Sequence, residues 1–400
     1  MSNATGGEPS PGIRRAVVSI AVAAVAIDAA LLGLIAPLLP AIEERTGAGE
    51  GALGLALAAY AVPIALISLP LGRAADRIGR RLLLLGGLAL VAAGSVFVAV
   101  SESFAVLVAA RVVQGIGSAS SWIAALALVS DSAPDGKRGQ WLGVALGATS
   151  VGSIAGPALG GVAADVLSFE APFLIFAGLA VALLIAAWLV LPWEAPRSRP
   201  AVPALSAILR SVGSATGAWS AAISLASAGV LGLIEVVAPL DLDARLGLSS
   251  AAIGLLFAGS IAVDAALSPV GGRWGDRRGR LGPAITGLAL SALSALLLAI
   301  LPGVAGTAIA LAVYGAGFSL AYAAAVPWLD EAFEETERGL AYGVQALLYA
   351  GGYAIGPIVG GVLLELGGAD LTYVLTAAAL AACTIALAIA PPTRGRRRAG

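Results

Sequence analysis

Residues 72–80 read GRAADRIGR, and residues 272–280 repeat this pattern as GRWGDRRGR. A second motif, GPALGG at 156–161, returns as GPIVGG at 356–361. Both repeats are offset by 200 residues. A fixed offset between unlike motifs indicates a duplicated unit. The chain is therefore predicted to consist of two related halves.

The composition excludes an ordinary soluble protein. Hydrophobic residues make up 59% of the 400 residues, charged residues make up only 12%, and the mean hydropathy is +0.95. A soluble domain carries roughly 25% charged residues, so the surplus of apolar surface indicates lipid as the solvent. Apolar stretches of about 20 residues, each long enough to cross a bilayer, recur along the chain. We number them spans 1 to 12, at about residues 15–39, 51–72, 82–101, 105–130, 140–164, 171–192, 217–240, 250–271, 282–302, 305–329, 339–364 and 371–390.

These spans predict an all-α membrane protein with twelve transmembrane helices in two pseudo-symmetric six-helix bundles. A proline-rich, charged stretch at 193–216 is the expected cytoplasmic linker between a bundle at 15–192 and a bundle at 217–390. We expect residues 1–14 to form a disordered cytoplasmic N-terminus and residues 391–400 to form a basic cytoplasmic tail. Two such bundles can rock about a central site, as alternating access requires.

The basic residues predict the orientation of the chain. Of the 23 lysines and arginines, all but Arg45, Arg111 and Arg245 lie in segments on the N-terminal side of the membrane. By the positive-inside rule both termini face the cytoplasm. We call the side with the basic loops the predicted inner end and the other side the predicted outer end. The expected location is the inner (plasma) membrane of a bacterium, as a multi-pass protein and a monomer.

Several kinds of chemistry are disfavoured. The chain has no histidine and one cysteine, Cys383, so it lacks the usual metal ligands, and any proton coupling must fall to carboxylates. It contains no phosphate-binding loop with a glycine and a lysine for ATP. We therefore expect no cofactor, no metal, no nucleic-acid partner and no enzymatic activity.

Four ionisable residues lie inside predicted spans: Asp28, Arg111, Glu235 and Asp264. A charge at the centre of a bilayer costs at least ~2.5–3.5 kcal/mol, so each needs a partner or a function. Three acids and one arginine leave at least two carboxylates that can bind a proton or a cation, which favours proton exchange against a cationic substrate. The alternatives are a packing hydrogen bond for Asp28 or Glu235 and an ion pair with basic loop residues for Asp264.

Aromatic residues in the spans suit an organic cation, because a cation is attracted to the face of an aromatic ring. Trp122 shares a helix face with Arg111. Tyr322 and Tyr349 lie centrally in their spans, and Tyr60, Tyr314, Phe318 and Tyr353 are further aromatics within spans. We expect Trp122, Tyr322 and Tyr349 to bind substrate together with Asp28 and Glu235, although any one tyrosine can instead serve for packing.

The repeated motifs predict the moving parts. In the loop motif a glycine allows a tight turn and an aspartate can meet a neighbouring helix N-terminus or an arginine, which forms a latch at the predicted inner end; the alternative is a plain basic loop. The small residues of the GP motif let helices approach closely, and its proline adds a bend. The expected gating residues are Gly72, Asp76, Arg80, Asp276, Gly156, Pro157, Gly356 and Pro357.

The chain resembles the drug:proton antiporter branch of the major facilitator superfamily, and within it the vesicular amine transporters. The segments that carry the resemblance are Asp28 with Pro37 and Pro40, ARVVQGIGS at 110–118, Arg138-Gly139 with Gly143, APFL at 171–174, GLIE at 232–235 and GYAIGP at 352–357. The resemblance implies the major facilitator fold, and it implies that Asp28 and Glu235 contact an amine. The GP run of span 5 is similar to an antiporter signature.

The sequence departs from these relatives at three positions. Tyr60 and Ala346 stand where the relatives have a lysine and an aspartate that pair, and Tyr322 stands where they have an aspartate in span 10. One ion pair and one proton-coupling acid are therefore missing, and Asp264 is a candidate replacement for that acid. Proton-coupling roles are expected for Asp28, Glu235, Asp264 and Arg111.

The function expected from the sequence is proton-coupled export of small organic cations, such as amines or cationic drugs, by alternating access. One alternative is transport of a neutral or anionic metabolite with Arg111 as its ligand. Another is a protein that moves or senses membrane lipid without solute flux.

Overall fold

The structure is a computed structural model that describes residues 11–134, 136–192, 205–333 and 338–392, and every span within them is helical. Span 1 is followed by two short helices, and one short helix precedes span 7. The helices are Pro11–Leu34, Ala36–Leu38, Leu39–Thr46, Glu50–Ile78, Arg80–Ala99, Phe104–Ser132, Arg138–Val166, Ala171–Val190, Leu205–Val212, Ala215–Leu246, Ser250–Arg278, Leu281–Ile300, Gly303–Ala332 and Arg338–Ile389.

The described residues form eleven continuous helical segments that are long and apolar enough to cross a membrane. The last of them, within Arg338–Ile389, is interrupted at Gly368, where φ is 73° and ψ is 179°. This conformation is essentially restricted to glycine, and it lets the chain reverse direction. The segment therefore contains spans 11 and 12, and the predicted twelve-helix architecture is confirmed.

Each half packs its first span against its fifth through glycine. A Cβ atom at Gly156 of span 5 would overlap the carbonyl oxygen of Ala30 in span 1. The same overlap occurs 200 residues later, between Gly356 of span 11 and the carbonyl oxygen of Gly229 in span 7. Only glycine permits this approach of two backbones, so the GP motif sets the helix packing of both halves.

The two halves meet through a second pair of equivalent contacts. A Cβ atom at Gly54 of span 2 would overlap the carbonyl oxygen of Pro357, and one at Gly254 of span 8 would overlap the carbonyl oxygen of Pro157. The prolines of the GP motif therefore lie where one half touches the other. Toward the predicted outer end, Asp165 Oδ2 accepts a hydrogen bond of 2.9 Å from the backbone N–H of Ala251 in the opposite half. The halves are thus in close contact on this side.

The predicted inner end carries a repeated ion pair. Arg80 pairs with Asp131 of the same half, and Arg280 pairs with Glu331 at 2.9 Å. Both partners again differ by 200 positions. Arg80 is buried here against its own half, while the side chains of Gly72 and Asp76 lie outside the described residues. The latch of Asp76 and Arg80 therefore stays a prediction.

The expected domain limits differ slightly from the observed helices. Span 1 begins at Pro11 rather than at residue 15, because its helix continues into the polar stretch that contains Arg14 and Arg15. The predicted linker contains the short helix Leu205–Val212, and span 7 begins at Ala215. The residues 1–10, 193–204 and 393–400 lie outside the described part, so the predictions for the termini and the middle of the linker remain predictions.

Candidate functional site

A cavity of about 100 Å³ lies between the two halves. Most of its wall comes from the second half, while spans 1 and 5 of the first half contribute Gly33 and Ser153. The wall contains two carboxylates and four aromatic rings: Glu235, Asp264, Phe257, Tyr314, Phe318 and Tyr349. This volume holds several water molecules and is smaller than the ~300–1,000 Å³ typical of a drug-sized ligand site. A larger solute therefore needs a wider cavity than the one in this conformation.

Glu235 lines this cavity from the part of span 7 that lies toward the predicted outer end. Its carboxylate is buried, and Oε2 accepts a short hydrogen bond from the hydroxyl of Tyr353 in span 11. No arginine or lysine nitrogen of the described residues lies within ion-pair distance of Glu235. Within the described part of the chain, the hydrogen-bond partner of this acid is therefore the neutral hydroxyl of Tyr353.

Asp264 is the second acid of the cavity and comes from span 8. Its backbone carbonyl accepts a hydrogen bond of 3.0 Å from the Ser319 hydroxyl, which fixes span 8 against span 10 at this level. The sequence left open an ion pair between Asp264 and basic loop residues. Among the described residues no such pair forms, and Asp264 instead shares one cavity with Glu235.

Five aromatic rings form a continuous chain from span 10 to span 11. Phe318 and Tyr322 are stacked with their centroids 5.4 Å apart, and Tyr349 and Tyr353 are stacked at 6.2 Å. Tyr322 meets Tyr349 edge to face at 5.9 Å, and Tyr314 lies 6.2 Å from Phe318. The predicted substrate residues Tyr322 and Tyr349 thus belong to one aromatic surface, of which Tyr349 lines the cavity.

Asp28 lies beside the cavity rather than in its wall, since the neighbouring Ala29 is a wall residue and Asp28 is not. Its Oδ1 lies 3.4 Å from the hydroxyl of Tyr60 in span 2, and Ser118 of span 4 is adjacent to both. Each half therefore places one membrane-embedded acid next to a tyrosine hydroxyl: Asp28 with Tyr60, and Glu235 with Tyr353.

Arg111 occupies the interior of the first half. Its guanidinium carbon lies 4.3 Å from the centroid of the Tyr60 ring, and Nη1 donates a 2.9 Å hydrogen bond to Gln114 Oε1. Gln114 in turn donates to Ser95 at 2.9 Å, which anchors the side chain to span 3. The Nε and Nη2 atoms of Arg111 are buried and have no hydrogen-bond partner among the described residues. Arg111 also interacts electrostatically with Glu235 and Tyr353 of the other half.

Trp122 lies apart from these residues. It packs against an apolar cluster of the first half that includes Val17, Leu84 and Leu128. Although it shares a helix with Arg111, it is not a wall residue of the cavity. Its predicted role in substrate binding is untested, and Asp276 likewise has no observed contact with the cavity.

Sequence reasoning named Tyr60 and Tyr353 as aromatics but did not pair them with the acids. It also missed Gln114 and Ser95 as the anchor of Arg111. A signal existed for Tyr353, because it stands three residues before Gly356, the glycine that brings span 11 onto span 7. No signal in one sequence fixes which hydroxyl reaches which carboxylate.

The site combines carboxylates in apolar surroundings with the faces of aromatic rings. An unpaired carboxylate at this depth exists either with a bound proton or with a bound cation, and the rings stabilise an organic cation next to it. Among the described residues, no three His, Cys, Asp or Glu side chains cluster in a way that could hold a metal ion. The arrangement is a cavity lined by two carboxylates and four aromatic rings.

The comparisons with known proteins agree on one family. The family model described as Major Facilitator Superfamily matches residues 19–240 and 220–400. The synaptic vesicular amine transporter of Bos taurus is 27% identical over 275 residues, which is 66% of this chain and 52% of the relative. The chromaffin granule amine transporter of Rattus norvegicus is 25% identical over 272 residues, 67% of this chain and 52% of the relative. This chain thus spans about half the length of the curated relatives that it matches.

Solved structures share the fold at lower sequence identity. A bacterial homologue of the human lysosomal transporter Spinster, in an inward-facing and unoccupied conformation, superposes with a TM-score of 0.79 at 16% identity and covers 95% of this chain and 96% of its own. The human organic anion transporter MFSD10 (TETRAN) gives a TM-score of 0.67 at 20% identity, with 95% and 100% covered. These likenesses concern the fold alone. With the family match over nearly all of its length, the resemblance noted in the motifs is confirmed, and this multi-pass membrane protein belongs to the Major Facilitator Superfamily of transporters.

Proposed function

We propose that the protein is a proton-coupled antiporter that exports small organic cations, amines or cationic drugs, by alternating access. The observation that carries this proposal is the cavity in which Glu235 and Asp264 lie with aromatic rings and without an ion-pair partner among the described residues. Such a cavity selects positive charge. The names of the amine-transporting relatives support the same class of substrate.

Exchange follows from competition for the acids. A cation that enters the cavity neutralises Glu235 beside the ring of Tyr349 and displaces the protons that Glu235 and Asp264 hold in its absence. Asp28, which lies beside the cavity, is the corresponding acid of the first half. Cation and proton therefore bind at overlapping positions in opposite steps of the transport cycle. Arg111, next to Tyr60, adjusts the charge balance between the halves.

Alternating access requires that the close contact between the halves opens. The contacts of Gly54 with Pro357 and of Gly254 with Pro157 are the natural outer gate, because they are backbone contacts between helices of opposite halves. At the predicted inner end, Asp76 and Arg80 with their counterpart Asp276 are proposed to close the opposite gate. We propose the bacterial inner membrane as the location, with cytoplasmic termini and a monomeric protein.

A second candidate is a transporter for an anionic or neutral metabolite. One observation favours it: two guanidinium nitrogens of Arg111 lack hydrogen-bond partners, as expected of an anion ligand in its empty state. Arg111 is however covered by the Tyr60 ring and is not part of the cavity wall, whereas two acids are. The cationic substrate class fits the cavity better. No observation favours the lipid-moving alternative.

The proposal is tested by neutralising single acids in reconstituted protein. Asp28→Asn and Glu235→Gln should each abolish uptake of tetraphenylphosphonium driven by a proton gradient in liposomes, with an unchanged elution profile of the purified protein. Asp243→Asn is the matched control, since it neutralises an exposed acid near the end of the same helix as Glu235 and should leave uptake intact. If both acid variants took up tetraphenylphosphonium as well as wild type does, the assignment of Asp28 and Glu235 would be wrong.

A further inference from the structure

Glu235 faces the cavity on one side and Tyr353 on the other. Tyr353 is 1% exposed, lies outside the cavity wall, and donates a hydrogen bond from its hydroxyl to Glu235 Oε2. Tyr353 is thus a neighbour that binds the carboxylate from the protein side, while solute can reach it from the cavity side.

The close approach of spans 7 and 11 holds this pair in place. A Cβ atom at Gly356 would overlap the carbonyl oxygen of Gly229, and one at Gly232 would lie 2.6 Å from Pro357 Cδ and 2.9 Å from the carbonyl oxygen of Tyr353. Tyr353 and Glu235 each lie three residues from these glycines, so they share the contact face of their helices. The glycine contacts therefore hold the two helices at the separation at which the Tyr353 hydroxyl reaches Glu235.

Other titratable groups surround Glu235 from every neighbouring element that bears one. They are Tyr314 on span 10, Tyr349 on span 11, Asp264 on span 8, which shares the cavity, and Arg111 on span 4. The Tyr314 hydroxyl is already committed to the carbonyl oxygen of Ser227 at 3.3 Å. None of these four groups donates a hydrogen bond to Glu235 in the described structure, whereas Tyr353 does.

The first half contains a similar pair of a tyrosine hydroxyl and a carboxylate, at a longer distance. The Tyr60 hydroxyl lies 3.4 Å from Asp28 Oδ1, and the Tyr60 ring is covered by Arg111. Tyr60 and Tyr353 belong to spans 2 and 11, the two helices that touch each other between the halves at Gly54 and Pro357. Each acid is therefore bound by a tyrosine on a helix that must move when the halves rock.

We propose that Tyr353, and more weakly Tyr60, are positioning residues that act as internal hydrogen-bond donors to Glu235 and Asp28. When neither proton nor solute is bound, the hydroxyl stabilises the bare carboxylate in the membrane. An arriving proton converts the carboxylate to an acid, whose O–H can serve as a donor itself, so the tyrosine is no longer needed as one. The role in transport rests on the proposed function, but the hydrogen bond itself can be tested without any substrate.

The test follows the protonation of Glu235 directly. Dicyclohexylcarbodiimide adds to protonated carboxylic acids in apolar surroundings, and mass spectrometry of peptides reads the modified residue. Purified wild type, Tyr353→Phe and Tyr60→Phe are labelled over a pH series. A hydrogen bond to a charged carboxylate favours the charged form, so its loss should move the labelling midpoint at Glu235 to higher pH by about one to two units in Tyr353→Phe. Tyr60→Phe should move the midpoint at Asp28 in the same direction and by less.

The matched control is Tyr373→Phe. Tyr373 also donates to a carboxylate of span 7, Asp241 at 3.2 Å, but neither residue lines the cavity. This variant should leave the midpoint at Glu235 unchanged, and the midpoint at Asp264 serves as an internal reference in every sample. An unchanged Glu235 midpoint in a monodisperse Tyr353→Phe sample would overturn the inference. If wild type carries no organic cation while the midpoint still moves, the proposed function fails and the positioning role stands.

Discussion

The contact between the halves predicts the effect of a single methyl group. Gly254 of span 8 touches the backbone of Pro157, and a Cβ atom there would overlap the proline carbonyl oxygen and lie 2.9 Å from its carbon. We expect Gly254→Ala to force spans 5 and 8 apart and to favour the state that is open at the predicted outer end. Overpacking of a well-packed contact costs roughly 1–3 kcal/mol. At about 1.4 kcal/mol per factor of ten, the equilibrium should shift by about 5- to 150-fold.

The assay uses the scarcity of cysteine in the chain. With Cys383 replaced by serine, Ser153→Cys in the cavity wall becomes the single thiol of the protein. A membrane-impermeant maleimide applied from outside the cell should then react faster in the Gly254→Ala background by the factor above. Gly54→Ala, at the equivalent contact with Pro357, should have the same effect.

Gly259→Ala is the matched control on the same helix. A Cβ atom at Gly259 would meet no atom within 4 Å, so this variant gains the same helix propensity without the overlap. An equal labelling rate in wild type, Gly254→Ala and Gly259→Ala, with the same melting temperature, would refute the reasoning that this contact closes the outer gate.

Three further predictions concern stability, each read from thermal unfolding of purified protein. Asp131→Asn removes one carboxylate from the buried Arg80 and should destabilise the protein more than Glu331→Gln at the more exposed Arg280, which should cost about 1 kcal/mol or less; equal losses would contradict this. Gly368→Ala should cost about 1–3 kcal/mol because φ is 73° there, and Gly86→Ala, in open space, should not. A hydrogen bond from its own backbone amide, with Ser168 and Arg45, lowers the pKa of Glu170. The small stability from this exposed group is therefore present above its unfolded pKa of 4.5 and lost as pH falls below it, and Glu170→Gln should flatten that part of the pH profile; an unchanged profile would contradict it.

The sequence predicted the fold because the fold depends on local signals. Apolar runs identify spans, arginines identify loops, and the offset of 200 residues relates Gly156 to Gly356, whose observed contacts lie on the equivalent spans 1 and 7. Even unforeseen contacts follow this offset, such as the pairs Gly54 with Pro357 and Gly254 with Pro157. Duplication makes one half a guide to the other.

The site was only partly predictable, since its members come from helices far apart in the chain. Burial of a charge singled out Asp28, Glu235 and Asp264, but the sharing of one cavity by Glu235 and Asp264 depends on how spans 7, 8 and 10 pack. Helical spacing placed Trp122 on the same helix face as Arg111, and the structure shows it packed against an apolar cluster of the first half. The hydroxyl groups that contact the acids could not be predicted from the sequence for the same reason.

The central claim is cation exchange against protons, and a flux screen in liposomes tests it most directly. Purified protein is reconstituted with a pH-sensitive dye inside, and cationic, neutral and anionic compounds are added in turn across an imposed proton gradient. We predict that only organic cations drive protons across the membrane, in the direction opposite to their own movement, and so change the internal pH. Glu235→Gln should remove this signal. Proton movement driven by anionic or neutral compounds, or cation uptake without any change in pH, would contradict it.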